Sequence, residues 1–270
     1  MILVFDSGLG GLTVWNAIQR ERRAAPLVYL ADCDRFPYGD RGDDEIIARC
    51  IDLVTEADRR FSLCLAVVAC NTASTLVLPH LRERFAFPIV GTVPAIKPAA
   101  EASQSGLVSI LATPGTVARD YTRDLIDRFA AGVSVTLVAA PRLAALAEAE
   151  LAGTPPTDAV IWEEIAPAFV AEGSRRTDQI VLGCTHFPLL GSRIEALAPW
   201  PVTLVDPAPA IARRVLSVLP EQGSEAPGKA SAGPSTNHSL FFSTAPTPRT
   251  VCLAASSRSS GEREIVLEPF

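Results

Sequence analysis

Short runs of β-branched and other apolar residues alternate along the chain with longer stretches in which apolar residues recur at helical spacing. The short runs predict strands at 1–5, 27–31, 65–69, 88–90, 107–111, 134–138, 179–182 and 202–205. One longer stretch, residues 43–60, places Ile46, Cys50 and Val54 on one stripe with a period of about 3.6 residues. Strands separated by helices indicate βαβ units, so the predicted fold class is α/β, with mainly parallel sheets and helices on both faces.

The pattern also contains an internal repeat. The segments ILVFDSGLGGLTV (2–14) and VSILATPGTVARDY (108–121) both read as a strand, a turn of small residues and the start of a helix. Each is followed later by a strand that ends in a cysteine, Cys70 in the first half and Cys184 in the second. We therefore predict two pseudo-symmetric doubly wound domains with the active site between them.

The predicted first domain comprises residues 1–93 plus 207–270, and the predicted second domain comprises residues 94–206. Near the C-terminus, residues 221–238 are rich in Gly, Ser, Pro and Ala, which is typical of a flexible linker. Beyond this linker, SLFFSTA and EREIVLEPF predict two short strands that return to a sheet edge.

Composition and charge exclude several classes of protein. The net charge of −6 provides no positive surface for nucleic acid. Polar residues interrupt every apolar run before it reaches the 18 or so residues of a membrane span. The start, MILVFDSGLGG, lacks the basic region of a secretory signal, and the six cysteines have no framework spacing. We therefore expect a cytoplasmic protein with reduced thiols, no membrane contact and no nucleic-acid partner.

Two of the cysteines have an unusual setting. In VVACNTAS (67–74) and QIVLGCTHFPLL (179–190), an apolar run ends in Cys70 or Cys184 and passes directly into residues that favour a helix start. We expect Asn71 and Thr72 to cap one helix, and Thr185 to cap the other, with Pro188 in its first turn. A helix N-terminus stabilises a thiolate, so both thiols are candidates for acid–base chemistry.

His186 stands two residues after Cys184, so it could tune that thiol or act as an acid or base itself. The alternative interpretation is that Cys70 and Cys184 are small buried apolar residues. The other four cysteines lack such a setting and are interpreted as structural: Cys33, Cys50, Cys64 and Cys252.

The turn DSGLGG (6–11) resembles part of a phosphate-binding loop. The dinucleotide fingerprint requires a glycine where Thr13 stands, and the P-loop lysine is absent. What remains is a tight turn that offers backbone N–H groups and Ser7 to an anion, with Asp6 facing the crevice. A purely structural glycine turn is the alternative. On spacing alone, FPYG (36–39) is an ordinary turn.

Metal binding is a further alternative, because Cys184 and His186 together with Asp6 and Cys70 form a composite set of ligand types. Their C-x-H spacing matches no standard zinc motif, so no metal is predicted. Thiol–disulfide exchange is disfavoured because the chain has no C-x-x-C.

Taken together, the motifs resemble glutamate racemases of the aspartate/glutamate racemase superfamily. The resemblance rests on DSGLGGLTV, PYG, ACNTAS, ATPGTV and GCTHFPLL, which occur in that family's order between residues 1 and about 218. Aspartate-specific members typically carry a glutamate where His186 stands. An aspartate or other amino-acid racemase, and a non-catalytic amino-acid- or metal-binding protein on the same fold, remain alternatives.

The resemblance implies cofactor-independent inversion of glutamate at Cα, with glutamate as the small-molecule partner and D-glutamate supplied for peptidoglycan. Cys184 would remove the proton from L-glutamate and Cys70 from D-glutamate, assisted by His186 and Asp6 respectively. The remaining catalytic carboxylate would fall in APRLAALAE (140–148) at Glu148, although Glu150 lies two residues further on.

The resemblance also implies a set of substrate-binding residues: Ser7, Pro37, Tyr38, Gly39, Asn71, Thr72, Thr116 and Thr185. These residues offer hydroxyl, amide and backbone N–H groups, so neutral donors would hold the substrate carboxylates. A homodimer is one assembly that members of the family adopt.

Overall fold

Two parallel sheets form the frame of the protein in the computed structural model, which describes residues 1–21, 26–219, 240–245 and 267–269. The strands are β1 (Ile2–Asp6), β2 (Leu27–Ala31), β3 (Leu65–Val68), β4 (Ile89–Gly91), β5 (Leu107–Ala112), β6 (Ser134–Ala139), β7 (Ala171–Glu172), β8 (Arg175–Arg176), β9 (Gln179–Gly183), β10 (Thr203–Val205), β11 (Leu240–Ser243) and β12 (Leu267–Pro269).

The helices lie between these strands. They are α1 (Leu12–Glu21), α2 (Asp43–Phe61), α3 (Asn71–Arg84), α4 (Ile96–Ala102), α5 (Pro114–Ala118), α6 (Asp120–Phe129), α7 (Leu143–Leu151), α8 (Asp158–Ile165), α9 (Gly191–Leu197) and α10 (Ala208–Val218).

The first sheet has the order β12-β11-β2-β1-β3-β4, and the second has the order β10-β9-β5-β6. All strand pairs within these two sheets are parallel. The predicted α/β class with two domains and parallel sheets is therefore confirmed.

Each predicted strand is present within one or two residues of its predicted bounds. The SLFFSTA strand is present as β11, and β12 lies inside EREIVLEPF. The short antiparallel hairpin of β7 and β8 was missed, because both of its strands are two exposed residues long and carry no hydrophobic pattern. The linker predicted at 221–238 lies outside the described residues.

Helices cover both faces of the first sheet, which explains why its strands are continuously apolar. On one face, α2 and α3 pack through residues such as Ile46, Leu53 and Val77. On the other face, α1 and α10 contribute Ile18 and Val215 to a second core. Because α10 packs here, the chain returns to the first sheet after β10. No helix within the described ranges is long and apolar enough to cross a membrane.

The strand β11 is an integral part of the first core. The Phe241 ring is buried and stacks on the ring of Tyr29, with centroids 5.0 Å apart and an interplanar angle of 14°. We expect Phe241→Ala to lower the free energy of unfolding by about 3–5 kcal/mol, because it removes a core ring and leaves a cavity. Chemical denaturation measures this change.

The matched control is Phe129→Ala, since the Phe129 ring is exposed on α6. Its expected cost is within about 1 kcal/mol. Equal destabilisation by the two substitutions would contradict the integration of β11 into the core.

Candidate active site

The first candidate cysteine stands at the end of β3. Cys70 is the N-cap residue of α3, and Ser7 Oγ donates a hydrogen bond to its sulfur over 3.5 Å. Burial and the neighbouring Asp6 carboxylate raise the pKa of the Cys70 thiol to about 12. The expectation that the helix start lowers this pKa is therefore wrong for Cys70. The contact with the Ala73 backbone N–H acts in the lowering direction, but burial of the thiol outweighs it.

The residues after Cys70 do not cap the helix as predicted. No side chain caps α3, and Asn71 and Thr72 lie inside its first turn. Thr72 Oγ1 instead lies 2.9 Å from Thr113 Oγ1 and 3.5 Å from Thr116 Oγ1, which are at the start of α5, directly after β5 of the second sheet. The Asn71 amide is buried, yet neither its nitrogen nor its oxygen has a hydrogen-bond partner among the described residues. A buried, unpaired amide between two domains is typical of a ligand site.

The second candidate cysteine, Cys184, follows β9. Its sulfur lies 3.8 Å from His186 Nδ1, and His186 Nε2 lies 3.0 Å from Glu148 Oε1. Burial alone lowers the pKa of His186, but the hydrogen bonds with Cys184 and Glu148 and the nearby negative charges raise it to about 10. The imidazole is therefore protonated at neutral pH, and it is oriented by one sulfur and one carboxylate.

The predicted cap at Thr185 is also wrong. The chain makes a 3₁₀ turn over Phe187–Leu190, with Pro188 in its first turn, before α9 begins at Gly191. Thr185 Oγ1 instead lies 3.4 Å from Asp6 Oδ1. Burial raises the pKa of Asp6, while the positive charge of His186 and the N–H of Gly11 oppose this rise.

The glycine turn after β1 contacts both the first-domain and the second-domain parts of the site. The backbone N–H of Leu9 donates to Glu148 Oε1 over 3.0 Å, and that of Gly10 lies 3.1 Å from His186 Nε2. A Cβ at Gly8 would stand 2.4 Å from Glu148 Oε1, and one at Gly10 would stand 2.4 Å from His186 Nδ1. The turn is therefore glycine-rich because second-domain side chains pack directly on its backbone. The N–H groups of Leu9 and Gly10, which were predicted to face an anion, therefore face the side chains of Glu148 and His186.

The two glutamates of α7 have different neighbours. Glu148 is buried and faces His186, whereas Glu150 pairs with Arg193 over 2.8 Å. The two positions differ by about 200° around the helix, so they point to opposite sides of α7. Glu148 therefore joins the site, and Glu150 ties α7 to α9.

The FPYG segment forms part of the same crevice. Tyr38–Asp40 is a 3₁₀ turn, and a Cβ added at Gly39 would lie 3.5 Å from Thr113 Cβ. The Tyr38 hydroxyl donates to Asp32 over 2.7 Å. The sequence interpretation missed both Thr113 and Asp32. Their positions in the sequence could have identified them. Asp32 and Thr113 each come just after the carboxyl end of a predicted strand, as Asp6 stands at the carboxyl end of β1.

The remaining cysteines differ in setting. Cys50 is a core residue as expected, Cys33 is half-buried, and burial raises its pKa to about 11. Cys64 is exposed, so it is not a core residue. Cys252 lies outside the described residues. Within the described ranges, no group of three or more His, Cys, Asp and Glu side chains is arranged to hold a metal ion.

The fold and the site define a class of protein in which two α/β domains each bring a strand-end cysteine to one buried crevice. The two sulfurs are near enough for charge on Cys184 to raise the pKa of Cys70. The chain belongs to the Asp/Glu/hydantoin racemase family, whose model matches residues 2–215.

Relatives with high identity carry a more specific name. A glutamate racemase of Brucella ovis is 51% identical over 225 residues, covering 83% of this chain and 81% of the relative. One of Brucella anthropi is 52% identical over 219 residues, covering 81% and 79%.

Solved structures agree with these relatives. The structure of Escherichia coli glutamate racemase, in complex with L-glutamate and the activator UDP-MurNAc-ala, matches with a TM-score of 0.86 and 39% identity and covers 98% of this chain and 97% of its own. A glutamate racemase isoform from Bacillus anthracis matches with a TM-score of 0.79 and 27% identity, covering 100% and 98%.

The His186 environment predicts how stability depends on pH. The folded protein holds the His186 proton more tightly than the unfolded chain, in which the pKa is near its ordinary value of 6.5. The stabilisation is therefore fully present below pH 6.5 and is lost as the pH rises through about 10. We expect the free energy of unfolding to fall by at most about 1.4 kcal/mol per pH unit from this one proton.

Urea denaturation between about pH 6.5 and 8.5 tests this, because thiols and phenols titrate mainly above that range. The control variant His186→Asn lacks the proton and should show a flatter dependence. The same slope in both proteins would show that His186 is not the group responsible.

Proposed function

We propose that this chain interconverts L-glutamate and D-glutamate without a cofactor, by a two-thiol acid–base mechanism, and so supplies D-glutamate for peptidoglycan in the cytoplasm. The observation that carries the proposal is the pairing of Cys70 and Cys184 in one buried crevice, each with its own carboxylate or imidazole partner. The identity to glutamate racemases over most of the chain supports the choice of substrate.

The two thiols differ in the ligand-free protein, and the difference fits one acid and one base. Cys70 lies beside the Asp6 carboxylate, and its raised pKa keeps it protonated at neutral pH. Cys184 lies beside the protonated His186. The imidazole offers the Cys184 sulfur a hydrogen bond and a positive charge. In this state Cys184 takes the proton from L-glutamate, and Cys70 delivers one to the opposite face of Cα.

After this step the roles are reversed. Cys70 has lost its proton, and the Ser7 hydroxyl and the Ala73 N–H stabilise the charged sulfur. Asp6, whose pKa burial raises, can hold or release a proton close to Cys70. The protein is then ready to take the proton from D-glutamate with Cys70.

Glu148 positions the proton on His186. With His186 charged, Nε2–H donates to Glu148 Oε1 and Nδ1–H points to the Cys184 sulfur. With His186 neutral and protonated on Nδ1, Nε2 can accept from the Gly10 N–H instead. One nitrogen cannot serve both partners, so the two contacts alternate as the proton moves.

Neutral donors would hold the two substrate carboxylates. The proposed contacts are Ser7, Pro37, Tyr38, Gly39, Asn71, Thr72, Thr116 and Thr185. The unpaired Asn71 amide is the strongest support, because a bound carboxylate would accept from its nitrogen. Thr72 and Thr116 lie together across the two domains and could close on the same ligand.

The domain division at 93/94 and 206/207 belongs to this proposal. Its support is the packing of α10 on the first core and of α4 residue Ile96 on the second sheet. The homodimer stays a prediction, which sedimentation velocity would test.

Removing either thiol should abolish racemisation. We expect Cys70→Ala and Cys184→Ala each to lower kcat in both directions by about 10²–10⁴-fold or more, because each loses one acid–base group. Incubation of L-glutamate in D₂O measures this, with proton NMR for loss of the α-proton and chiral analysis for D-glutamate.

The control is Cys64→Ala, since Cys64 is exposed. It should racemise as the unmodified protein does, and circular dichroism should show all three variants folded. Full activity in Cys70→Ala or Cys184→Ala would exclude the two-thiol mechanism. Turnover of aspartate rather than glutamate would reassign the substrate.

The two glutamates of α7 offer a matched pair. Glu148→Gln removes the charge that orients His186, so we expect kcat for L-glutamate to fall by about 10-fold or more. Glu150→Gln only weakens a partly exposed ion pair with Arg193, so its kcat should stay within about 2-fold. Steady-state kinetics in both directions compares them, and the reverse order of effects would move the catalytic carboxylate to Glu150.

A further inference from the structure

A buried carboxylate outside the proposed catalytic set connects the substrate loop to the C-terminal segment. Asp32 follows β2, beside Asp6, and its backbone N–H donates to the Asp6 carbonyl over 2.9 Å. The Asp32 side chain is fully buried, so its charge must be compensated by hydrogen bonds. We call Asp32, Tyr38, Arg49 and Thr244 the Asp32 cluster.

Four hydrogen bonds converge on this carboxylate from three parts of the chain. Tyr38 Oη donates to Oδ2 over 2.7 Å, and Arg49 donates to Oδ2 over 3.0 Å and to Oδ1 over 2.7 Å. Thr244 Oγ1 donates to Oδ1 over 2.8 Å and accepts from the Asp34 N–H over 3.1 Å. The Asp32 carboxylate therefore holds α2, the loop before it and the end of β11 in one arrangement.

The loop that the cluster holds lies against the active site. The Tyr38 ring is buried, its hydroxyl lies 4.0 Å from the Cys50 sulfur, and its centroid lies 6.4 Å from that of Phe5. The adjacent Gly39 faces Thr113 of the second domain. Tyr38 also lies close enough to Cys70 for charge on that thiol to raise the pKa of the Tyr38 phenol. A shift of Tyr38 would therefore move the loop relative to both the Cys70 side of the site and the threonines.

We infer that Asp32 and Thr244 are positioning residues for glutamate binding, because they fix the loop at residues 36–40 through the Tyr38 hydroxyl. This inference rests on the proposed function. Neither residue contacts the reacting atoms, so the cluster acts equally on bound substrate and transition state. Its loss should therefore raise KM and leave kcat nearly unchanged.

The least disruptive test is Thr244→Val, which removes the hydroxyl at nearly constant volume. We expect KM for L- and D-glutamate to rise about 3- to 10-fold, with kcat within about 2-fold, because the loop loses one of its anchoring hydrogen bonds while the other three to Asp32 remain. Thr244→Ser keeps the hydroxyl and should restore the original KM.

The matched control is Thr177→Val, far along the chain in the second domain. Thr177 is buried, and its hydroxyl likewise donates to one oxygen and accepts from one backbone N–H, both of Val170. A purely structural role for Thr244 predicts that both valine variants lose stability with an unchanged KM. That result would overturn the inference.

A second variant covers the case in which Thr244→Val does not fold. Tyr38→Phe keeps the ring and the backbone N–H of residue 38, and it removes the hydroxyl that donates to Asp32 and lies 4.0 Å from the Cys50 sulfur, so it should also raise KM. When both variants fold, the double variant should raise KM by less than the product of the two single effects, because both act on one network. An unchanged KM in Tyr38→Phe would also overturn the inference.

A readout independent of turnover separates this inference from the proposed function. Amide hydrogen exchange of peptides covering residues 33–42, without glutamate, should be faster in Thr244→Val than in Thr177→Val. If the unmodified protein does not turn over glutamate, the proposed function fails, and this comparison alone decides whether the cluster holds the loop. Equal exchange in the two variants would overturn the inference in that case.

Discussion

The close packing of the glycine turn at residues 7–11 against Glu148 and His186 is the constraint on which the site depends. The Leu9 N–H donates to Glu148 Oε1, and the Gly10 N–H lies next to His186 Nε2 and can donate to it when the imidazole is neutral. Since a side chain at Gly8 or Gly10 would overlap these groups, the approach is possible only for glycine. The domains therefore meet through backbone rather than through long side chains, which leaves little freedom in the position of His186.

Burial favours the neutral form of the titratable group on both sides of this contact, but it prevails only on the Cys70 side. On the Cys70 side, burial and a neighbouring carboxylate favour the neutral thiol. On the Cys184 side, the sulfur and Glu148 hold a proton on His186 in spite of burial. A crevice with little water strengthens both effects, because charges in a medium of low dielectric constant are poorly screened. Two domains with the same plan thus provide chemically different partners to the two cysteines.

The fold was almost fully predictable from the sequence, because strands buried on both faces are continuous apolar runs that stand out between amphipathic helices. The pairing of Cys70 and Cys184 was predictable from the same pattern. In open α/β sheets, ligands bind at the carboxyl ends of the strands, and each of the two similar domains has a cysteine at such an end. The local details were not predictable. Asn71, Thr72 and Thr185 are residue types that favour helix N-caps. Their side chains face the crevice instead, because tertiary contacts outweigh the preference for capping.

The direction of the pKa shift of Cys70 could not be predicted from the sequence either. A helix start beside Cys70 favours a low pKa, and only the degree of burial shows that the opposite effect is larger. The choice between Glu148 and Glu150 needed the rotation of α7 relative to His186. Asp32 was missed because its four hydrogen-bond donors come from residues as far apart in sequence as Tyr38 and Thr244.

The position of β11 has a consequence for synthesis of the chain. β2 is a strand near the N-terminus, and its outer edge pairs with residues 240–243. While the ribosome is still making the second domain, that edge exposes unpaired backbone N–H and carbonyl groups. The second domain, which is continuous between β5 and β10, can complete its sheet earlier. The first domain begins to fold first and is completed last, and the Asp32 carboxylate receives its Thr244 partner only at that final stage.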